Sequence, residues 1–154
     1  MASPARKPEA PPERVPHRAA TADFGWDGVE LRPYKEDERA LYKAITRQIL
    51  FSDPNMAGEL RYFEVAPGGH TTLERHDHVH AVMVIRGHGQ CLVGDKAYTI
   101  NEHDLVSVPP MTWHQFRAAP DAPLGFLCLV AAERDRPQLP GDHEVDEISR
   151  PLRR

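Results

Sequence analysis

Cysteine, long apolar runs, aromatic residues and a surplus of one charge are all scarce or missing in this chain of 154 residues. Cys91 and Cys128 are its two cysteines, and they lack metal or redox spacing. A disulfide framework is therefore excluded, and both read as buried apolar thiols of a cytoplasmic protein. No apolar run approaches the roughly 18 residues of a membrane span, so no membrane partner is expected. The formal net charge is −4, which offers no electrostatic footprint for nucleic acid. The opening stretch "MASPARKPEAPPERVPHRAA" is basic but has no apolar centre, which sets it apart from a secretory signal. Glu9, Glu13 and the prolines set it apart from an organelle transit peptide. There is no His-Glu-x-x-His stretch and no helix-turn-helix pattern ahead of residue 59.

What the chain has in excess is proline at its ends and histidine in its middle. Residues 1–22 carry five prolines and almost no large apolar side chains, which predicts a disordered or extended tail. Residues 134–154 are charged, with prolines at 137, 140 and 151, and read as a second tail with one short helical turn. The compact domain is placed at residues 23–133, a length suited to one hydrophobic core.

Within that domain the dominant period is two. "KAITRQILF" (43–51) alternates as a strand, with an amphipathic helix through Leu41, Ile45 and Ile49 as the rival reading. "ELRYFEVAPGG" (59–69) reads as a strand ending in a Pro-Gly-Gly turn. "HAVMVIRGHGQCLVG" (80–94) reads as a β-hairpin around Gly87-His88-Gly89, and "KAYTI" (96–100) as a further strand after the Gly94-Asp95 turn. "DLVSVPP", "WHQFRA" and "LGFLCLVAAE" complete the series. Short strands punctuated by turns at such spacing predict an all-β barrel or sandwich.

Seven of the nine histidines fall between positions 70 and 114. Glu74 and His76 are two apart, so on a strand they share a face. His80 opens the next strand, and His114 follows "VPPMTW" on a later one. Imidazole with carboxylate suits one divalent transition metal ion per chain, among Fe, Mn, Zn, Ni and Cu.

"ERHDHVHAVMVIRG" followed by "HDLVSVPPMTWHQFRA" resembles the two motifs of the cupin superfamily, G-x5-H-x-H-x3,4-E-x6-G and G-x5-P-x-G-x2-H-x3-N. Counted back from Gly87, His80 stands where the motif has Glu, His76 at the second histidine and Glu74 at the first. Pro109 and His114 match the second motif, whereas His103, Met111 and Ala118 replace its two glycines and asparagine. Glu and His are thus exchanged between two positions. A histidine in the fourth-ligand place also resembles small manganese or iron cupins with an all-histidine site. The resemblance covers about residues 59–132. It implies a double-stranded β-helix (jelly-roll) barrel and a metal site of His76, His80, His114 and Glu74. Cupins usually dimerise, so it implies a homodimer as well.

Two questions remain open at this level. Glu74 reads as a ligand, as a group bonded to a ligand histidine, or as a general base, and His78 in the turn is the alternative donor. Phe116 shares the face of His114 and is placed in a substrate pocket with Tyr62 and His78, while Trp113 and Gln115 face outward, towards a subunit interface. Arg47, Arg61 and Arg117 sit within strands, and any that turned inward would point to an anionic substrate. The functional expectation is a metal-dependent dioxygenase acting on a small organic molecule. A related isomerase or decarboxylase, or a non-catalytic sensing module, are the alternatives.

Overall fold

The computed structural model describes residues 10–34 and 43–153. Eleven strands lie among them: β1 (Ala20–Thr21), β2 (Gly25–Trp26), β3 (Arg32–Pro33), β4 (Lys43–Ser52), β5 (Gly58–His70), β6 (His80–Arg86), β7 (Gly89–Val93), β8 (Lys96–Ile100), β9 (Leu105–Val108), β10 (His114–Ala118) and β11 (Leu124–Ala131). A helical turn, α1 (Val145–Ile148), and a 3-10 turn (Arg150–Arg153) follow. Every strand pairing is antiparallel. The expected all-β jelly-roll is the fold observed: one sheet runs β8-β7-β10-β5-β11-β6-β9, with β4 and then β3 added beside β5, and it curls around the main core.

The segment 43–52 is a strand, paired with β5 along most of its length. Its rival helix needed Leu41, which lies outside the described residues. Two turn signals do something other than reverse the chain. Strand β5 continues through Pro67-Gly68-Gly69, with Gly68 at φ +73°. Before that bend it pairs with β11, and at His70 it pairs with β10. The Pro-Gly-Gly signal therefore marks a strand passing from one half of the barrel to the other, not a strand end. Similarly, β6 and β7 do not form the expected hairpin. Strand β6 pairs with β9 and β11, and β7 pairs with β8 and β10. Gly87, at φ +69°, turns the chain so close to Pro123 that an added Cβ would lie 1.8 Å from its carbonyl oxygen. A left-handed, side-chain-free residue is required there whether a chain reverses or crosses, so the glycines alone do not distinguish the two.

The inward faces of these strands make the core. Phe63, Phe126 and Phe116 stack in a row, with ring centroids 5.7 and 4.9 Å apart. Each is at least nine-tenths buried, and full burial of such a side chain contributes about 1.5–3 kcal/mol. The C-terminal segment carries the short helical turn expected of it, and it packs on the barrel rather than trailing from it. Leu152 is buried against Leu73 and Leu92.

Candidate metal centre

The candidate ligands come from two strand starts and from the connection between β5 and β6. His114 begins β10, in register with Val93 of β7. His80 begins β6, between Val108 of β9 and Val130 of β11. Glu74 forms an isolated bridge with His114, the two backbones exchanging hydrogen bonds of 3.3 and 3.0 Å. His76 is held from the other side, where its carbonyl accepts the Met111 N–H at 2.7 Å.

The imidazoles are oriented as ligands would be. His76 Nδ1 donates to the His78 carbonyl at 2.7 Å, and His114 Nδ1 donates to the Thr112 carbonyl at 2.9 Å. A carbonyl only accepts, so both rings carry their proton on Nδ1 and keep the Nε2 lone pair free. His80 Nδ1 meets the Cys128 sulfur at 3.0 Å, which leaves its Nε2 facing His76 Nε2 at 2.8 Å. Two donors set at right angles about 2.1 Å from one ion lie about 3 Å apart, so this separation fits shared coordination. Burial holds both rings neutral. His76 is shifted below the usual histidine range, mainly by desolvation, and His80 is pushed down to about 2 by desolvation and the neighbouring His114 and His76. Neutral imidazole is the form that binds metal.

Two overlapping donor sets result, Glu74-His76-His114 and His76-His78-His80, with donor atoms within 4.8 Å of one another in each. The cluster is compatible with a single metal ion.

Glu74, His80 and His114 line a cavity with Phe116. Its volume is about 60 Å³, and Arg61, Phe63, Phe126 and Cys128 are also in its wall. His78 is not. Its ring lies flat on His76, with centroids 3.6 Å apart, and its Nδ1 meets the Asp135 carboxylate at 2.7 Å. The expected pocket role of His78 is corrected accordingly: the turn places it behind His76.

Tyr62 is a second correction. It alternates with Arg61 and Phe63 on β5, so it occupies the opposite face of the sheet. There it packs under Phe24 and Trp26 and donates its hydroxyl hydrogen to Glu64 at 3.0 Å. Gly125 makes room for it, since a Cβ at that position would lie 2.0 Å from the Tyr62 hydroxyl. Gln115 points away from the cavity as predicted, but it is 5% exposed and covered by its own chain, donating to the Thr71 carbonyl at 2.9 Å. That leaves it little surface to offer a subunit interface.

The C-terminal segment contributes what sequence reasoning missed. The Asp135 carboxylate accepts the backbone N–H groups of Asp77 at 2.7 Å and His78 at 3.0 Å. These bonds hold the Asp135 carboxyl well below the usual carboxylate range. Three residues further on, Gln138 exchanges backbone hydrogen bonds of 3.1 and 2.8 Å with Arg75. A strap thus fastens the histidine-bearing turn from outside.

A jelly-roll barrel with a histidine-rich donor cluster opening into its interior defines a small metal-site barrel of the cupin kind. The comparisons agree. A sequence model described as "Cupin domain" matches residues 61–130. The chain is 51% identical over 130 residues to 1-methylthio-D-xylulose 5-phosphate methylsulfurylase of Rhodospirillum rubrum, covering 84% of this chain and 83% of that one. Among solved structures, a cupin 2 conserved barrel domain protein from Rhodopseudomonas palustris superposes with a TM-score of 0.83 at 56% identity, over 89% of this chain and 94% of that one. A cupin-2 domain protein from Rhodospirillum rubrum does so at 0.77 and 50% identity, over 86% and 89%. The chain belongs to the cupin family. Among the described residues, no helix is long and apolar enough to cross a membrane.

Proposed function

We propose that this chain is a mononuclear metal-dependent enzyme acting on a small phosphorylated sugar that carries a methylthio group. The observation that carries the metal half of this reading is the anchoring of the His76 and His114 Nδ1 atoms on backbone carbonyls, which leaves their Nε2 donors beside Glu74, with His80 Nε2 2.8 Å from that of His76. The substrate half rests on the likeness to the methylsulfurylase of Rhodospirillum rubrum. It moves the expected chemistry from oxygen insertion to the carbon–sulfur bond.

His76, His80 and His114 would hold the ion, which when bound supplies Lewis-acid polarisation of a substrate carbonyl. The Phe63, Phe116 and Phe126 side chains exclude water from that end of the cavity. Glu74 is the ionisable group placed to hold or remove a proton on carbon next to such a carbonyl.

The test is turnover. The chain is reconstituted separately with Fe(II), Mn(II), Zn(II), Ni(II) and Cu(II). It is then given 1-methylthio-D-xylulose 5-phosphate, with a small thiol offered as acceptor, and NMR follows the methylthio resonance. Loss of that resonance from the sugar with at least one metal is the expected result. No change with any metal, together with oxygen uptake on diketones, thiols or 2-oxo acids, would return the reading to a dioxygenase. Glu74→Gln then separates the two roles open to that residue. A base is lost with the metal retained, and a ligand is lost with its metal.

A further inference from the structure

Arg61 is the one Arg or Lys side chain among the described residues of the cavity wall. Its register partner on β11 is Cys128, also in the wall, and its guanidinium carbon sits 4.9 Å from the centre of the Phe63 ring. The side chain is 5% exposed. Its Nε is buried without a hydrogen-bond acceptor. Among the described residues its polar contacts are weak ones. Glu59 is an ion-pair partner at 3.8 Å, too far for a hydrogen bond, and Nη2 reaches the Cys128 sulfur only at 4.0 Å. Glu59 is itself shared with Arg134 at 3.7 Å. Two guanidiniums thus share one carboxylate, and Arg61, the buried one, is held by it only at 3.8 Å.

A buried, underpaired cation is among the more costly features a fold can keep. The cost is recovered if an anion completes the pair during function. Guanidinium presents a flat fork of N–H donors that matches two oxygens of a phosphate or carboxylate, and the Phe63 ring fixes the plane of that fork.

We propose that Arg61 is the oxyanion subsite of the cavity and that it receives the phosphate group of the substrate. This rests on the reading of the cavity as the reaction site, and it adds the residue that selects a phosphorylated substrate. Arg61 is then a binding residue whose loss weakens substrate capture more than turnover.

Calorimetric titration of the full, metal-reconstituted chain with inorganic phosphate tests this without requiring turnover, and acetate serves as the carboxylate arm. Phosphate is expected to bind the wild-type chain and to bind Arg61→Gln at least tenfold more weakly. Arg61→Lys should recover only part of the loss, because the fork is gone. Glu59→Gln covers the case in which Arg61→Gln fails to fold. It frees the guanidinium and should tighten phosphate several-fold. Phosphate affinity unchanged in Arg61→Gln, weakened in Glu59→Gln, or exceeded by acetate affinity overturns the assignment. The two readings fail separately. An Arg61-dependent phosphate site in a chain that leaves the methylthio sugar untouched sinks the proposed function alone. Turnover whose KM is the same in Arg61→Gln sinks the subsite alone.

Discussion

The candidate centre has a sheet-borne half and a turn-borne half, and different bonds hold them. His80 and His114 are the first residues of strands that pair on both sides or lie deep in a ladder. Arg61 and Phe116 stand on the same framework. Their positions follow from the core, because moving any of them disturbs rows of buried side chains. Glu74, His76 and His78 lie outside the named strands. They are positioned by a few polar contacts, several from a segment far along the chain: Asp135 on the turn, Gln138 on Arg75, Met111 on the His76 carbonyl. The lesson is that position and stability separate. The sheet-borne half should fail by unfolding, the turn-borne half by losing its geometry while the barrel persists.

The largest effect expected on the metal comes from either half. His114→Ala and His76→Ala each remove an Nε2 donor, so both should lose stoichiometric metal, measured by elemental analysis on untagged protein. Both should retain the β-type circular dichroism of the barrel. Full metal content in His114→Ala would refute the proposed centre.

Phe126→Ala puts the sheet-borne half to the test. Phe126 packs between Phe63 and Phe116 and is 4% exposed. Truncation of such a ring costs about 3–5 kcal/mol, read from denaturant unfolding of the metal-free chain. A loss below about 1 kcal/mol would mean that the row of rings does little to hold the sheet together.

Asp135→Asn puts the turn-borne half to the opposite test. Metal affinity should fall about 10- to 100-fold, as is usual when a group orienting a ligand is removed, with little change in unfolding. Equal losses in both measurements would erase the distinction between the halves. The pH dependence has a definite sign. Asp135 is held below its ordinary value of 3.8 in the folded chain. Its contribution is therefore complete above that value and is lost as pH falls below it, through the depressed folded value. What small stability difference Asp135→Asn makes should be constant near neutral pH and shrink below about pH 4.

The same division explains what could be read from the sequence. The places of His80 and His114 at strand starts were legible because a ladder fixes spacing, and their distances from Gly87 and Pro109 survive in the chain. The parity of β5 was not legible. Counting back from Glu74 to Tyr62 crosses Pro67-Gly68-Gly69, where the strand bends and the alternation cannot be carried through. Tyr62 therefore took the face opposite to the expected one, and Arg61, whose parity was left open, took the inward one. The Asp135 strap was illegible for another reason. One carboxylate on two backbone N–H groups has no periodicity, so in a charged, proline-containing stretch it looks like any solvated acid.

The smallest effect on the site is expected on the outside of the same sheet. Two apolar rows cross it: Phe51, Leu60, Leu129 and Ala81 are register neighbours in one, and Leu127, Met83 and Leu105 in the other. Phe51, Leu129, Met83 and Leu105 are exposed by 43, 46, 40 and 66%. An ordinary surface scatters such residues singly, whereas aligned rows on adjacent strands form a contiguous patch. We propose that a second copy of this chain covers it, giving a homodimer. Light scattering should show twice the monomer mass for the wild type and the monomer for Leu129→Glu. Metal content should be the same in both, because Leu129 lies on the opposite face from Cys128 and the cavity. A monomeric wild type removes the dimer. A variant that loses metal along with its partner would show that the sheet-borne half depends on assembly, and the contrast with the strapped turn would then have to include the neighbouring subunit.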